Sequence, residues 1–347
     1  HSVNPKSVLM EKVLVTGASG FIGAHCIIKL LDKGYHVRGT VRNMERVTQL
    51  KEMFAQHTDK VENLSFVPLD LMSDTGWKAA ASGCTYIMHV ASPVPTTLPK
   101  DENEIILPAR EGTLRALRAG TDAGVKRVVL TSSIAAVCYG HSDHSKTFTE
   151  ADWSVIDSGD VMAYPKSKTI AEQAAWQLME ETGTDMELVT SNPCLVFGPA
   201  LEKDIGSSLE VVKKMLKGEM PGAPKIGWPI VDVRDVAEMH LLAMTNPEAK
   251  GQRFICANDT MWMMDIAKVL QQHFPQYRRK LPKRTLPNWL IKVTALFDAQ
   301  IRSVLTELDK PQHVSSQKAR DVLGWTPRSN EEAIVSAAKS MIEYKVV

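Results

Sequence analysis

A chain of 347 residues is long enough to bury a large core and to carry a second lobe on one main domain. With 41 basic against 40 acidic side chains and a formal net charge of +1, it has no overall field for holding nucleic acid or an anionic membrane. Cys26, Cys84, Cys138, Cys194 and Cys256 are odd in number, widely spaced and set among apolar residues, so they read as buried thiols of a reducing compartment, not as staples or metal ligands.

The first ten residues end at Met10, and His1 to Leu9 lacks the basic-then-apolar order of a signal peptide, so it reads as an added or natural extension. From Val13 to Thr16 a short apolar run predicts a strand. It breaks into Gly17-Ala18-Ser19-Gly20-Phe21-Ile22-Gly23. Phe21, Ile22, Cys26, Ile27, Leu30 and Leu31 then recur at helical spacing. Strand, glycine-rich turn and helix in that order form a dinucleotide cradle. Gly17 takes the dihedrals of the turn, Gly20 lets backbone approach a pyrophosphate, and Gly23 lets the helix pack on the sheet. The phosphate would sit on the unpaired amides of the helix start. An empty structural turn is the alternative, since such spacing also arises by chance.

A second strand is predicted over His36–Val41, followed by Arg42. An NAD site would place a carboxylate near here for the ribose hydroxyls. This chain offers Arg42, with Arg38 nearby, suited to a 2'-phosphate; a solvated strand-end arginine is the plainer alternative. Met44–His57 reads as a helix, Leu64–Pro68 as a third strand, and Trp77–Ala81 as a short helix. Asp70-Leu71 follows the third strand. Asp70 suits an adenine amino group with Leu71 over the ring, or else a local cap or turn. Tyr86–Ala91 is the expected fourth strand, ending in Ser92-Pro93-Val94-Pro95, small residues and prolines that suit backbone held against a ligand. A helix over Ile106–Ala123, stopped by Gly124, and a fifth strand over Val125–Thr131 follow. Strands that read as solid apolar runs between helices predict an α/β, doubly wound parallel sheet.

Beyond, Tyr164–Glu181 is helical, Met186–Thr190 a sixth strand, and Gly206–Leu216, Val233–Thr245 and Glu331–Tyr344 further helices. The last third is irregular and proline-rich. Its basic cluster, Arg278-Arg279-Lys280 with Lys283-Arg284, has only Tyr277 as an aromatic neighbour and reads as a solvated helix end. The expected division is a dinucleotide-binding domain over 10–198 and a smaller substrate lobe over 199–347, with about 229–256 returning to the main domain. No apolar run approaches the ~20 residues that cross a bilayer. A cytoplasmic protein is expected.

The chemistry concentrates in two places. The fifth strand ends in Thr131-Ser132-Ser133, and Tyr164-Pro165-Lys166-Ser167-Lys168 opens a helix downstream. Tyr164 and Lys168 stand four apart and project from one helical face. A tyrosine hydroxyl, normally of pKa about 10, is brought into acid–base range by a neighbouring lysine cation and by an oxidised nicotinamide. Ser133 could donate to a carbonyl oxygen, Tyr164 give the proton, and Lys168 also hold the nicotinamide ribose. Each residue alone is ordinary; together, downstream of the glycine-rich unit, they read as a hydride-transfer site without a metal.

These pieces resemble the extended short-chain dehydrogenases/reductases. They are closest to the dihydroflavonol reductase, cinnamoyl-CoA reductase and yeast methylglyoxal (carbonyl) reductase group. The resemblance runs from Lys12 over almost the whole length. It is carried by Thr16–Gly23, Val37–Asn43, Pro68–Leu71, Val90–Pro93, Leu130–Ser133, Tyr164–Lys168, Asn192–Pro199, Val231–His240 and Lys318–Pro327.

The resemblance implies Ser133, Tyr164 and Lys168 as a catalytic triad and Arg42 as the 2'-phosphate ligand. It implies Gly17, Ser19, Gly20, Phe21, Ile22 and Gly23 around the phosphates and Asp70 and Leu71 at adenine. Val90, Ala91, Ser92 and Thr131 would line the ribose and nicotinamide, Pro193 and Leu195 the carboxamide, and Ser208 the pyrophosphate side. NADP(H) is the implied cofactor, and NADPH-dependent reduction of an aldehyde or ketone to an alcohol the implied activity. The implied partner is a small-molecule carbonyl or alcohol. Monomer and homodimer are both compatible with the sequence.

Three positions depart from the plant pattern. Gln49 stands where plant members carry a second basic residue, and Cys138 and Pro229 stand where flavonoid reductases carry Asn and Gln. The last two argue against a dihydroflavonol substrate. Val94, Pro95, Val161, Met162, Phe197, Trp228 and Pro229 are candidates for an apolar cleft or, equally, for lobe packing. Nucleotide-sugar epimerase or dehydratase, hydroxysteroid dehydrogenase and a non-enzymatic NADP(H) sensor are the alternatives.

Overall fold

The computed structural model describes residues 10–93, 99–159 and 161–347. The main body alternates β1 (Lys12–Thr16), α1 (Phe21–Asp32), β2 (His36–Val41), α2 (Val47–Ala55), β3 (Leu64–Pro68), α3 (Trp77–Ala81), β4 (Tyr86–His89), α4 (Asn103–Asp122) and β5 (Arg127–Thr131). After the short β6 (Thr147–Phe148) come α5 (Ala163–Thr182), β7 (Glu187–Pro193), β8 (Leu195–Phe197), α6 (Glu210–Leu216), β9 (Gly227–Asp232), α7 (Val233–Thr245) and β10 (Arg253–Cys256). The chain closes with β11 (Thr260–Trp262), α8 (Met263–His273), α9 (Asn288–Ala295), α10 (Ala299–Arg302), β12 (His313–Val314), α11 (Gln317–Leu323) and α12 (Asn330–Glu343).

Seven strands form one sheet in the order β10-β7-β5-β4-β1-β2-β3, with every neighbouring pair parallel. Strands buried on both faces must be apolar at consecutive positions. Val13, Leu14 and Val15 are fully buried, and alternate residues go to opposite sides. Val13, Val15, Met88, Val129 and Val189 pack with α1 and α7, whereas Leu14, Ile87, Val128, Leu130 and Leu188 pack with α3, α4 and α5. The strand order reverses between β1 and β4. In such sheets that switch opens a crevice at the carboxyl ends of the strands.

A second sheet, β11-β9-β8, packs under α6, α8 and α12 around Phe197, Leu209, Met215, Ile230, Ile266 and Ile334. α7 and β10 return to the main body: Val236, Met239, Phe254 and Cys256 are buried in its core.

Where elements differ from expectation, a local contact explains it. β4 stops at His89, not Ala91, because the amides of Val90 and Ala91 both donate to the Thr16 hydroxyl (2.9 and 3.0 Å). The expected helix from Met44 opens as a 3-10 turn over Met44–Arg46, capped by the Asn43 side chain accepting from the Glu45 amide. The helix expected from Gly206 starts only at Glu210, since Gly206 sits at φ 74°, in the left-handed region that ends regular helix. All five cysteines are free thiols, four buried and Cys194 half-buried. Among the described residues no helix is long and apolar enough to cross a membrane.

Candidate active site

The turn after β1 is held from several sides. Gly17, at φ 73°, donates its amide to the Thr40 hydroxyl (3.0 Å) and the Ala18 amide bonds the Thr40 carbonyl (2.9 Å). Ala91 lies against the turn, so that a Cβ at Gly17 would stand 3.0 Å from the Ala91 Cα. Gly23 is closed by the protein itself: a Cβ there would come within 2.1 Å of the Gly17 carbonyl oxygen. Gly20 differs. Its backbone is ordinary extended (φ −75°, ψ 161°), and an added Cβ would meet only the Gly17 oxygen, at 3.4 Å. No protein contact requires glycine there; what the missing side chain leaves is an open cradle over the start of α1. That helix end has no side-chain cap and no acidic residue in its first turn, leaving its amides and positive dipole end for an anion.

Ser19 is exposed at the turn, and Phe21 and Ile22 are half-buried at the helix start. The Phe21 ring stands edge-on to the buried His25 ring, 5.4 Å away. The His25 Nε2 donates to the Pro199 carbonyl (2.9 Å), so burial, which drops its pKa to about 4, leaves a neutral ring tying the Pro193–Pro199 segment to α1. Half-buried Ser208 lies two residues beyond Gly206, whose added Cβ would reach the Phe21 Cβ at 3.8 Å.

The two arginines of the second strand separate. Arg38 donates to the carbonyls of Ala80 (2.5 Å) and Ser82 (2.9 Å) at the end of α3, where a cation satisfies orphan helix carbonyls. It is a helix cap, not a phosphate ligand. Arg42, one residue past β2, is exposed and has no hydrogen bond or ion pair among the described residues. Asp70 takes the turn role, its Oδ1 accepting the Met72 amide (2.9 Å), and its Oδ2 has no partner among the described residues. Leu71 packs against α4, where a Cβ at Gly112 would collide with its side chain at 2.5 Å.

At the carboxyl edge, a polar relay underlies Val90, Ala91 and Ser92. The Thr16 hydroxyl accepts two amides, so its proton goes to His89 Nδ1 (2.8 Å). His89 is therefore neutral and carries its proton on Nε2; burial, with the Lys168 charge nearby, drops its pKa to about 3. Thr131 is likewise committed. His240 Nδ1 donates to the Val236 carbonyl (2.7 Å), so its Nε2 accepts from the Thr131 hydroxyl (2.6 Å). With its proton held by His240, the Thr131 hydroxyl could meet a cofactor only as an acceptor. Thr16, Thr40, His89 and His240 escaped the sequence reading. Their only signal was a polar residue at the end of, or facing, an otherwise apolar strand.

Ser133 follows β5 and caps the 3-10 turn Ile134–Ala136, its Oγ accepting from the Ala135 amide (3.0 Å). Its own proton is shared between a long contact to the Pro193 carbonyl (3.5 Å) and the adjacent Tyr164 hydroxyl. Tyr164 and Lys168 occupy the first two turns of α5. Tyr164 is 39 % exposed as a whole residue, with its hydroxyl on the enclosed side. Burial raises its hydroxyl pKa above the ordinary value, with the adjacent Ser133 hydroxyl opposing. Lys168 is only 8 % exposed and makes no hydrogen bond among the described residues. Burial drops its pKa to about 8, against the pull of Glu172 one turn on.

Of the cleft candidates, Met162 is exposed at the start of α5, and on β9 Trp228 is half-buried and Pro229 buried; Pro193 and Leu195, expected at the carboxamide, are buried and half-buried on β7 and β8. Phe197 is fully buried in the second core and is a packing residue. Val161 is nearly so, at 7 %. Val94 and Pro95 lie outside the described residues.

Residues 13–257 match the NAD dependent epimerase/dehydratase family. The chain belongs to that family. Cinnamoyl-CoA reductase 1 of Petunia hybrida is 37 % identical over 277 residues, covering 78 % of this chain and 80 % of the relative. Tetraketide alpha-pyrone reductase 1 of Arabidopsis thaliana is 36 % identical over 281 residues, covering 79 % and 83 %. The crystal structure of yeast methylglyoxal/isovaleraldehyde reductase Gre2 complexed with NADPH superposes with a TM-score of 0.80 at 28 % identity, covering 96 % of this chain and 99 % of that one. Within its family the chain is an extended short-chain dehydrogenase/reductase, related to these plant reductases and fungal carbonyl reductases.

Proposed function

We propose that this chain reduces an aldehyde or ketone to an alcohol, with Ser133, Tyr164 and Lys168 as its reacting set. It is an NADP(H)-dependent oxidoreductase. The observation that carries the reading is the convergence of Ser133 and Tyr164, with buried Lys168 one turn on, at the strand edge beside an open glycine cradle. The residues present fit the dinucleotide: the Gly20 cradle and uncapped α1 for the pyrophosphate, Arg42 for the 2'-phosphate, the free Asp70 oxygen for adenine, and Lys168 for ribose hydroxyls.

When bound, NADPH supplies the hydride that the carbonyl carbon receives. Ser133 donates its O–H to the carbonyl oxygen and fixes its place. Tyr164 gives its proton to that oxygen as charge develops there. Lys168, kept charged, lowers the cost of the phenolate left behind, which regains a proton from solvent. The part of residues 199–347 that does not return to the main body, built on the second core, supplies the lobe on the substrate side. Cys138 and Pro229 in place of polar groups favour an apolar or aromatic carbonyl compound, loosely discriminated.

The test is NADPH oxidation with a panel of aliphatic and aromatic carbonyl compounds. Turnover of substrate without net NADPH consumption would indicate epimerase chemistry instead, and silence with every compound a sensor. In the same assay Arg42→Ala should raise the Michaelis constant for NADPH about tenfold, matching the ~1.5 kcal/mol of an exposed charge-assisted contact. The constant for NADH should barely move. Equal loss of both cofactors would make Arg42 an adenine-side or structural residue.

The two glycines should part company. Gly20→Ala is expected to leave the melting temperature unchanged and weaken NADPH binding, because its Cβ meets nothing but the ligand's space. Gly23→Ala should destabilise the fold by about 1–3 kcal/mol, because its Cβ overlaps backbone. Thermal melts beside NADPH titrations separate the two.

A further inference from the structure

Behind the reacting set lies a charged centre to which the proposed chemistry assigns no part. Glu172 of α5 and Asn192 of β7 are fully buried, and Arg253 of β10 is 8 % exposed. Arg253 Nε donates to Glu172 Oε2 (2.7 Å) and Nη2 to Oε1 (3.3 Å). Asn192 Nδ2 donates to Oε1 (2.7 Å) and Trp176 Nε1 to Oε2 (2.9 Å). The carboxylate is fully engaged. A buried ion pair of this kind contributes little to stability over an apolar pair of equal volume. Its placement calls for another explanation.

The partners of this centre reach the serine turn. Asn192 Nδ2 also donates to the Ser133 carbonyl (3.1 Å), and Arg253 Nη2 to the Ala136 carbonyl (3.3 Å). Ala135, between them, has its carbonyl held by Ser154 Oγ (2.5 Å) and by Thr169 Oγ1 of α5 (3.3 Å). Arg253 is itself fixed, stacked 3.7 Å over the Trp153 ring and donating to the carbonyls of Glu150 and Asp152 (2.9 and 2.7 Å). The Ser133, Ala135 and Ala136 carbonyls of this turn are thus held by side chains of α5, β7, β10 and the 150–154 segment, and that of Ile134 by the Val137 and Cys138 amides.

Resting on the proposed reductase reading, we infer that Glu172, with Asn192 and Arg253, is the positioning centre of the site. It locks the Ser133 turn to the helix that carries Tyr164 and Lys168, and it supplies the counter-charge to Lys168. Glu172 stands four residues after Lys168, on the same helical face. The ionisable groups acting on Lys168 are Glu172 and the neutral His89. Glu150 and Lys318 act on the Arg253 end. Removing the Glu172 charge therefore leaves a desolvated lysine with no anion beside it. Removing the Asn192 amide frees the Ser133 carbonyl without altering charge.

The experiment follows the Lys168 ε-carbon NMR shift against pH in cofactor-free wild type and Glu172→Gln, and measures kcat of Asn192→Ala. The Lys168 midpoint should fall by about one pH unit in Glu172→Gln. Asn192→Ala should lose about 10–100-fold in kcat, as a displaced reacting group does, with NADPH affinity and the alkaline limb of the pH profile unmoved. An unchanged midpoint in folded Glu172→Gln, or wild-type kcat in Asn192→Ala, would overturn the inference. If Glu172→Gln fails to fold, with Arg253 left unpaired, the double variant Glu172→Gln/Arg253→Met removes both charges and reports the same midpoint. A wild type that reduces no carbonyl compound would defeat the reductase reading, and the midpoints would still decide the counter-charge.

Discussion

Replacing Tyr164 by phenylalanine is expected to lower turnover by about 10²–10⁴-fold and to leave NADPH binding intact. The hydroxyl of Tyr164 is the group lost; phenylalanine fills the same volume without a proton to give. In the ligand-free structure burial lifts the hydroxyl pKa above its ordinary value, which suits a donor that keeps its proton until negative charge appears on the carbonyl oxygen. Lys168 has the opposite task, lowering the cost of the resulting phenolate. Steady-state kinetics beside fluorescence titration with NADPH checks both halves. A phenylalanine variant with wild-type turnover would remove tyrosine as the donor, and one that no longer bound NADPH would make Tyr164 a cofactor-holding residue.

What the sequence made legible follows from where local signals dominate. β2, β3, α3 and α7 fall on their predicted bounds, because each is a periodic apolar run with its own stop. The early strands could be read as a parallel sheet since burial on both faces forces consecutive apolar residues. β10 went unread for the converse reason. It is four residues long and opens on Arg253, a residue that looks misplaced in a buried strand until Glu172, from a distant helix, neutralises it. The lobe strands β8, β9 and β11 are as short, and their partners are set by tertiary contact.

The same divide runs through the site. Ser133, Tyr164 and Lys168 could be named as candidates because their spacing suits the proposed chemistry. Arg42 was singled out by its place just past the strand, with Arg38 only nearby; what sequence could not show is that Arg38 would turn to the α3 carbonyls while Arg42 stays in solvent. Thr131 was read as cofactor wall, and its hydroxyl proton goes to His240, 109 residues on in α7. Phe197 was as apolar as any cleft residue, and nothing in its neighbours in sequence said that α6, α8 and α12 would cover it.

Lys168→Met is expected to stabilise the cofactor-free protein while abolishing most activity. Lys168 is buried without a hydrogen bond among the described residues, and burial drops its pKa from 10.5 to about 8. Folding therefore works against its charge. Below about pH 8 the lysine is protonated both folded and unfolded, and the whole penalty is present. Between about 8 and 10.5 the unfolded chain binds the proton that the folded one has released, so wild-type stability rises with pH. Above that range the side chain is neutral in both states and the penalty is gone. A shift of that size, already net of the pull of Glu172, corresponds to ~3 kcal/mol at neutral pH. Methionine keeps the length and apolar stem with no charge to desolvate. Urea melts of both proteins at pH 7 and at pH 10 test this: the variant should lead at neutral pH and its lead should shrink as pH rises. A variant less stable than wild type at pH 7 would mean that the ammonium is held by favourable contacts in the folded protein. In that case its role would be structural support of the site, not a charge kept in place at a cost to folding for the sake of Tyr164.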